Sequence, residues 1–375
     1  MRVCVINNLY KPYNKGGAEQ IVDIILDELS CKHDVFLIST KPFWKKNKKD
    51  KKIYYIHSSY YNLEKFPKIF RLFWHFYDTL DVFSCIKIYF ILHKTKPDLV
   101  LTHNLKGISY LLPALIKILK IRHIHTLHDI QLLHPSGLIY FLHENITNSF
   151  WAKAYQCFTR FLFSFTPIVI SPSSWLLIEH QKRNFFKNTK SVVMLNPMSK
   201  RIYESHRKED DVFRFVFIGQ IENHKGIFLL INAFKNIKNK KSQLIIIGEG
   251  TKLKIVEEMT KIYKDIVVMG KKSNEETVKF LTSADCLVLP SLCYENSPTV
   301  IYEAFAAGVP VIASNIGGNL GLISNYGGTL FQAGDAVDLV EKMRLAIKNP
   351  QKVLGRGRFI QDTNQYMDKL MNLIN

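Results

Sequence analysis

Two glutamates, Glu295 and Glu303, bracket the start of a predicted helix in the segment YENSPTVIYEAFAAGVPVIAS at residues 294–314. Ser297 is a suitable N-cap, the proline after it suits the first helical position, and a glycine ends the helix before the strand-like run VPVIAS. Glu295 precedes the helix, and Glu303 shares a helix face with Thr299. A helix that only packs against a sheet requires neither glutamate. We therefore interpret both as candidate ligand-binding residues.

Glycines occur in three turns that follow predicted strands and precede predicted helices. At such turns the main-chain N–H groups and the helix N-terminus can bind an anion. One glycine turn is weak support, but three of them together with Lys225 favour a diphosphate ligand. A GxGxxG motif with a distant acidic residue is absent from the sequence, which disfavours a nicotinamide-dependent enzyme. The turn residues are Gly16 and Gly17, Gln220 and Lys225, and Gly248 and Gly250.

A group of histidines occupies the segment RHIHTLHDI. On a strand His123 and His125 share one face, and their spacing matches no hydrolase metal motif, so we expect no metal ion here. One of these two is interpreted as an ordinary sheet residue. His128 and Asp129 fall at the end of the strand and are candidate site residues. His103, which closes the neighbouring strand DLVLTHN with the asparagine after it, is expected at the same sheet edge.

Around these residues, strand-length apolar runs alternate with helix-length amphipathic segments. Short apolar strands separated by helices predict parallel sheets covered on both faces. A polar stretch at residues 196–211 divides the chain. We therefore predict an α/β protein of two doubly wound, Rossmann-like domains facing across a cleft, at residues 1–200 and 201–375, with the last helix able to pack back on the first. The predicted strands are RVCVINN, HDVFLIST, DLVLTHN, RHIHTLHD, PIVIS and SVVML, followed by RFVFIGQ, QLIIIGEG, DIVVMG, CLVLPS and PVIAS.

Length and cysteine usage agree with two intracellular domains. The chain has 375 residues, and its six cysteines are scattered without a C-x-x-C pair, which fits a reducing cytosol. The N-terminal MRVCVINN has no signal-peptide layout, so a cytoplasmic protein is expected. The uncharged run at residues 161–178 contains two prolines and four serines. We interpret it as a helix end, a buried strand, a turn and a new helix, not as a membrane span.

The net charge of +19 is unevenly distributed. Residues 1–196 carry 27 Lys and Arg against 13 Asp and Glu, and the run KPFWKKNKKDKK at 41–52 contains seven lysines beside two aromatic residues. The stretch FPKIFRLFWHFY follows at 66–77. A solvated loop followed by a core helix and a surface for anionic membranes both fit this pattern. No nucleic-acid-binding motif accompanies the charge. The expected membrane contacts are Lys45, Lys46, Lys48 and Lys49.

Several motifs together resemble the retaining family-4 glycosyltransferases of the GT-B fold. The most specific is the pair of glutamates separated by seven residues and followed by AFAAGVPVIA; GQIENHKG, IIIGEG, GGAE and the HD of HTLHD add to it. The resemblance implies transfer of a sugar, without a metal or other cofactor, from a nucleotide diphosphate donor, UDP rather than GDP, to a lipid-linked or polysaccharide acceptor. Together with the lysine-rich run at 41–52, it predicts a cytoplasmic protein that is peripheral on the inner face of the membrane.

The resemblance assigns roles to individual residues. Glu295 would contact the donor sugar, Glu303 the ribose, and the helix start between them the diphosphate. Lys271 would lie near the base. The catalytic set implied is His128, Asp129 and Glu295. The donor-binding set implied is Gly16, Gly17, Gln220, Lys225, Gly248, Glu249, Lys271, Asn296, Ser297, Thr299, Val300 and Glu303.

Two departures from the family pattern are visible. Gln220 stands where an arginine is frequent, so Lys225 would bear more of the phosphate charge, and GGNLG at 317–321 lacks the acidic residue of the frequent GGxPE. Two alternative functions stay open. A nucleotide-sugar epimerase of similar fold would need no separate acceptor, and a non-catalytic membrane or saccharide-binding module would not need Glu295, Glu303 and Lys225.

Overall fold

The computed structural model describes residues 1–13, 16–45, 52–65, 67–198, 210–237, 241–349 and 363–374. The chain divides into two compact units. Unit 1 comprises Met1–Leu138, Asn145–Ser199 and Gln361–Asn375, and unit 2 comprises Ile139–Glu144 and Lys200–Ile360. The short segment 139–144 therefore belongs to unit 2, although the sequence boundaries place it in the first domain. It pairs with the second unit through a bridge between Tyr140 and Cys293.

Unit 1 is built on a parallel sheet of seven strands within the described residues, in the order β3-β2-β1-β4-β5-β6-β7. Because the order reverses between β1 and β4, the carboxyl ends of these strands form a crevice of the kind that binds ligands. The strands are β1 (Arg2–Ile6), β2 (Asp34–Lys41), β3 (Ile53–His57), β4 (Leu99–Thr102), β5 (Arg122–Thr126), β6 (Ile168–Ser171) and β7 (Lys190–Val193). The helices are α1 (Gly17–Ser30), α2 (Lys68–Thr79), α3 (Val82–Thr95), α4 (Leu112–Ile118), α5 (Phe150–Phe163) and α6 (Ser174–Gln181).

Unit 2 repeats this architecture with a six-stranded parallel sheet among its described residues, in the order β10-β9-β8-β11-β12-β13. Its order reverses between β8 and β11. The strands are β8 (Phe213–Ile218), β9 (Ser242–Ile247), β10 (Ile266–Gly270), β11 (Cys286–Leu289), β12 (Val311–Ser314) and β13 (Thr329–Phe331). The helices are α7 (Ile227–Lys235), α8 (Leu253–Thr260), α9 (Asn274–Thr282), α10 (Thr299–Ala307), α11 (Gly318–Tyr326) and α12 (Ala336–Lys348).

The chain ends with α13 (Thr363–Asn372), which packs on unit 1. Its Tyr366 and Leu370 are 2% exposed and join the core formed by apolar residues of β1, β4 and α1. The Thr363 hydroxyl donates a hydrogen bond to the Met198 carbonyl oxygen. The last helix thus buries its apolar stripe against the first sheet rather than the second.

The uncharged run at 161–178 forms the end of α5, the strand β6 and the start of α6, as the prolines and serines indicate. No described helix combines the length and the apolar character required to span a membrane. Two strands are absent from the sequence prediction. These are β3, which follows the lysine run, and β13, which has three residues.

Three of the four lysines expected to contact a membrane, Lys46, Lys48 and Lys49, lie outside the described residues. The fourth, Lys45, is exposed. The aromatic stretch at 66–77 forms most of α2, which buries Trp74 but exposes many of its other aromatic side chains. The helix thus contributes Trp74 to the core and presents other rings to solvent, so the structure does not decide between the two interpretations of this stretch.

Candidate functional site

The carboxyl ends of β8 and β11 lie side by side where the order of the second sheet reverses. In open α/β sheets ligands bind outside the carboxyl ends of the strands at such a point. The chain leaves β8 through Gly219 and Gln220 and leaves β11 through Pro290 and Ser291. Both loops carry residues that the sequence predicts to bind a ligand.

An ion pair joins these two loops. Lys225 lies in a 3₁₀ turn, Asn223–Lys225, and its Nζ donates to Oε1 of Glu295 at 2.6 Å. The hydroxyl of Ser291 donates to the same oxygen at 2.8 Å. The second carboxylate oxygen of Glu295, Oε2, has no hydrogen bond to any described residue, and two N–H bonds of the ammonium are likewise unused there. The pair therefore holds both side chains in place while leaving a donor and an acceptor for a ligand.

The charges of this pair stabilise each other in a largely desolvated place. The two side chains retain only 22% and 13% of their accessible surface. Burial alone would raise the pKa of the Glu295 carboxyl, but the charge of Lys225 and the hydrogen bonds from Lys225 and Ser291 hold that pKa below its ordinary value. Burial would lower the pKa of Lys225, and the Glu295 carboxylate instead raises it. Both groups are therefore charged at neutral pH.

Close backbone packing around the pair depends on two glycines. Gly226 follows Lys225 with φ +72°, and a Cβ there would lie 1.8 Å from the Pro290 carbonyl oxygen. Gly317 has φ +62°, and a Cβ there would lie 2.3 Å from the Glu295 carbonyl oxygen. A side chain at either position would separate the loops that carry the ion pair.

The helix α10 begins one residue later than the sequence predicts. Pro298, and not Ser297, is the N-cap, and no side chain caps the helix. The Ser297 hydroxyl instead lies 2.5 Å from the Tyr302 hydroxyl, which draws it away from the helix axis. The main-chain N–H groups of Thr299 and Val300, in the first turn of the helix, have no carbonyl partner within it. Among the described residues they have no other acceptor, so they could donate hydrogen bonds to an anion.

Glu303 projects from α10 in an environment opposite to that of Glu295. Within the described residues its carboxyl group makes no hydrogen bond or ion pair. Burial raises its pKa to about 7. A hydrogen-bond donor supplied by a ligand would therefore stabilise its charged form.

The other predicted donor-binding residues of unit 2 are more exposed. The Gln220 side chain faces solvent, and Gly248 has φ +150° beside Gly219, where a Cβ would lie 1.8 Å from the Gly219 carbonyl oxygen. Lys271 and Glu249 form a 2.5 Å ion pair at the ends of β10 and β9, with 70% and 60% of their side-chain surface exposed. Asn296 lies between Glu295 and Ser297 and is half-buried.

The glycine turn of unit 1 already contains an anionic group. Gly16 is the N-cap of α1, and its N–H donates to Oε2 of Glu19 at 2.6 Å. Glu19 is buried. The carboxylate of this chain's own Glu19 thus satisfies part of the helix N-terminus that the sequence assigned to a ligand, and the N–H of Gly17 is the nearest one left to bind an anion.

The histidines on β5 and just after β4 and β5 make two sets of hydrogen-bond contacts. The buried His123 and His125 lie 2.8 and 2.9 Å from the Thr102 hydroxyl on the adjacent strand, so both, and not only one, belong to the sheet interior. His128 follows β5, and its Nε2 lies 2.9 Å from Nδ1 of the buried His103. Burial lowers the pKa of His128 to about 4, so its imidazole is neutral at pH 7.

Asp129 lies next to His128 and is half-buried. Its Oδ1 accepts the main-chain N–H of Gln131 at 2.7 Å. Burial raises its pKa to about 6, although that hydrogen bond and the charge of Lys106 act in the opposite direction. Among the described residues, no three His, Cys, Asp or Glu side chains are grouped so that they could hold a metal ion.

Comparisons with known proteins identify the family. Residues 15–199 match the model described as Glycosyltransferase Family 4, and residues 198–363 match the model described as Glycosyl transferases group 1. An uncharacterized 42.6 kDa protein in the cps region of Klebsiella pneumoniae is 27% identical over 331 residues, which cover 85% of this chain and 86% of that protein. The chain is a family-4 glycosyltransferase of the GT-B fold.

Two further comparisons agree. The putative teichuronic acid biosynthesis glycosyltransferase TuaC of Bacillus subtilis is 32% identical over 126 residues, 34% of this chain and 31% of that protein. The solved structure of Anabaena HepE in complex with UDP has a TM-score of 0.72 at 16% identity, and the match covers 99% of this chain and all of that one. The sequence resemblance and the predicted two-domain α/β fold are therefore confirmed, and the enzyme is a glycosyltransferase.

Two residues that contact predicted site residues are not themselves in the predicted set. Ser291 lies two residues after the strand CLVL, and Glu19 lies two residues after the turn glycines. Their positions at the ends of predicted elements were available signals. Both contacts are local in the chain, four residues apart for Ser291 and Glu295 and three for Glu19 and Gly16, but they depend on the backbone conformation of the turns.

Proposed function

We propose that the enzyme transfers a sugar from a UDP-sugar to a saccharide acceptor with retention of the anomeric configuration. The observation that carries the proposal is the Lys225–Glu295 ion pair at the carboxyl edge of the second sheet. A diphosphate oxygen would accept an unused N–H of Lys225, and a sugar hydroxyl would donate to the free Glu295 oxygen. Lys225 would thus bind the diphosphate of the donor, and Glu295 would bind its sugar.

The departing diphosphate gains negative charge as the bond to the anomeric carbon breaks. Lys225 and the N–H groups of Thr299 and Val300 would stabilise that charge without a metal ion. Glu303 would accept the ribose hydroxyls, and Lys271 would lie near the base. The choice of UDP is supported by the Anabaena HepE structures, which contain UDP and UDP-glucose.

His128 and Asp129 are assigned to the donor sugar. A neutral imidazole can donate one hydrogen bond and accept another, and a sugar hydroxyl can serve as either partner. Asp129 would accept a second hydroxyl. Retention itself rests on the family resemblance.

The acceptor is proposed to be a cell-surface polysaccharide or its lipid-linked precursor. The Klebsiella relative lies in a cps region, and the Bacillus relative is named for teichuronic acid biosynthesis. Both names point to surface polymers. The family assignment favours this reaction over the nucleotide-sugar epimerase and over the non-catalytic binding module.

Exposed aromatic rings and lysines of unit 1 support a proposed contact with an anionic membrane. On α2 the side chains of Phe70, Phe73 and Phe76 are 60–69% exposed, and on α3 Phe90 is 65% exposed. Exposed lysines, including Lys87 and Lys94 on α3 and Lys45 before the undescribed lysine run, accompany them. Apolar rings beside basic side chains are typical of peripheral membrane proteins.

Donor turnover tests the reaction. Purified enzyme is incubated with UDP-glucose, UDP-galactose and UDP-N-acetylglucosamine, first alone and then with a membrane extract, and UDP release and product are measured by mass spectrometry. We expect UDP release with one donor, and an α-linked product by NMR. Glu295→Gln should reduce turnover at least a hundredfold, because the sugar contact and the charge that orients Lys225 are both lost. Full turnover by this variant would contradict the site assignment.

Vesicle co-sedimentation tests the membrane surface separately. Replacing Lys45, Lys46, Lys48 and Lys49 by glutamine removes about 1 kcal/mol per lysine at most, so binding to anionic vesicles should fall strongly and UDP binding should not. Phe161 is equally exposed but lies on α5, and Phe161→Ala is the matched control for an aromatic substitution such as Phe73→Ala. Undiminished vesicle binding after the lysine replacements would show that another surface meets the membrane.

A further inference from the structure

A pocket of about 360 Å³ opens in unit 1 between α2, α3 and the carboxyl end of β3. Its volume falls within the range of small-molecule sites, roughly 300–1,000 Å³. His128 and Asp129 do not line it. The pocket is therefore separate from the residues of unit 1 that are assigned to the donor.

Aromatic rings form the walls of the pocket. Phe43, Tyr77 and Phe83 line it while retaining 50–70% of their accessible surface. Trp74 is buried, and its Nε1 donates to the Ser59 hydroxyl at 2.6 Å, which fixes its ring. Such rings offer flat apolar faces against which the C–H faces of a ligand can pack.

The floor of the pocket is polar. Asp78 is 95% buried, since its exposed fraction is 5%. Its Oδ1 accepts the main-chain N–H of Gly107 at 2.7 Å, and its Oδ2 has no hydrogen bond to any described residue. Asp81 differs, because Ser84 donates to both of its oxygens. One carboxyl oxygen of this buried, pocket-lining residue thus has no partner in the part of the chain that the structure describes.

These features together select the chemistry of the ligand. A hydrocarbon chain would displace water from Asp78 and offer no hydrogen bond in return, which is unfavourable. Burial raises the pKa of Asp78 to about 8, so at neutral pH this group is mostly an uncharged acid and does not call for a cationic ligand. A pyranose provides both hydroxyl groups for the floor and an apolar face for the walls.

We propose that this pocket binds one neutral sugar residue of the acceptor, with Asp78 hydrogen-bonded to a hydroxyl and the ring packed between Phe43 and Phe83. The proposal rests on the proposed function, which supplies a saccharide acceptor. Gly107 lies in the loop that follows β4, and that loop begins with His103, the partner of His128. A saccharide held here would thus lie along the sheet edge that carries the reacting residues.

Ligand-observed NMR on the full chain tests the pocket. Methyl glycosides of glucose, galactose, mannose and N-acetylglucosamine are offered at millimolar concentration, with 1-octanol as the hydrocarbon probe, and saturation transfer from the protein is recorded. We expect at least one glycoside to bind, with affinity reduced roughly five- to tenfold in both Phe43→Ala and Phe83→Ala. Phe161→Ala, which removes an equally exposed ring away from the pocket, should bind like the parent. Since all three rings are exposed, all three variants should fold.

The results separate this proposal from the proposed function. UDP affinity is measured by calorimetry on the same samples. Normal UDP binding without saturation transfer to any glycoside would overturn the pocket assignment alone. Equal saturation transfer to a glycoside in all variants would do the same. Octanol binding that replaces glycoside binding and is lost in Phe83→Ala would show a lipid site instead. Glycoside binding with the expected variant pattern but no binding of UDP would support the pocket and remove the UDP assignment.

Discussion

The Lys225–Glu295 pair should be worth much more than an ion pair on the surface of the same unit. Lys225→Met keeps the length of the side chain and removes its charge, and Glu295→Gln keeps the shape of the carboxyl group. The pair is 2.6 Å long and mostly desolvated. A hydrogen bond to a charged group in such a place contributes about 1.5–3 kcal/mol, and we expect a coupling energy of that size in a double-mutant cycle.

The pH dependence of stability gives a second measure of the pair. In the parent the pKa of Glu295 is lowered, so its contribution is present above the ordinary carboxyl pKa and is lost as pH falls through the folded value. In Lys225→Met the Glu295 carboxyl stays buried but loses its cation, so the pKa of Glu295 should rise. The variant should then lose stability as pH increases through that raised value, the opposite sign from the parent.

The assay is urea unfolding of the parent, the two single variants and the double variant, at several pH values. Lys241 and Asp211 form a 2.8 Å ion pair on the surface of the same unit, with 68% and 84% of their side-chain surface exposed, and serve as the matched control cycle. Exposed pairs of this kind often contribute nothing measurable. Equal coupling energies in the two cycles, or an unchanged sign of the pH dependence in Lys225→Met, would refute the reasoning.

Three further predictions concern the site. Nucleotide affinity, measured by calorimetry, should increase as pH rises through about 7, because ribose hydroxyls would bind the charged form of Glu303. Glu303→Gln should weaken nucleotide binding and make it independent of pH in this range. An affinity that still changes with pH in the variant would point to another group. His103→Phe should lower kcat with little change in UDP affinity, because it removes the contact that orients His128, whereas equal losses in both would indicate general damage. Gly317→Ala should lower the unfolding free energy by more than about 1 kcal/mol, since φ is +62° and the new Cβ meets a carbonyl oxygen. Gly321 lies in a helix, and no atom lies within 4 Å of a Cβ added there. Gly321→Ala should therefore be neutral or stabilising by up to about 1 kcal/mol in the same urea titration.

Most of the fold could be predicted from the sequence because its central strands are apolar throughout. Runs such as FRFVFI and SQLIII are buried on both faces, so their burial follows from composition without knowledge of neighbours. The strand β3, IYYIH, is half-buried at the sheet edge and follows seven lysines, so its context resembled a loop. The strand β13 has three residues, too few for any period to be visible.

The contacts of the candidate site could be predicted only in part. The rule that ligands lie beyond the carboxyl ends of parallel strands placed Lys225, Glu295 and His128 at sheet edges. The pairing of Lys225 with Glu295 depends on β8 and β11 being neighbours, although 70 residues separate the two side chains. The contact of His103 with His128 depends in the same way on the register of β4 and β5. The spacing of residues in the sequence shows neither which strands are neighbours nor their register.

The two glutamates that bracket α10 are chemically identical, so their environments must decide their roles. Glu295 has a cation and a hydroxyl donor, which keep it charged and fixed at neutral pH. Glu303 has no such partner among the described residues, and burial brings its pKa to about 7. A carboxyl group with this pKa is only partly ionised at neutral pH. A ligand that supplies hydrogen-bond donors would stabilise the charged form, so binding a ribose should release a proton. Glu295 needs no ligand to be ionised, which suits the contact with the donor sugar that we propose for it.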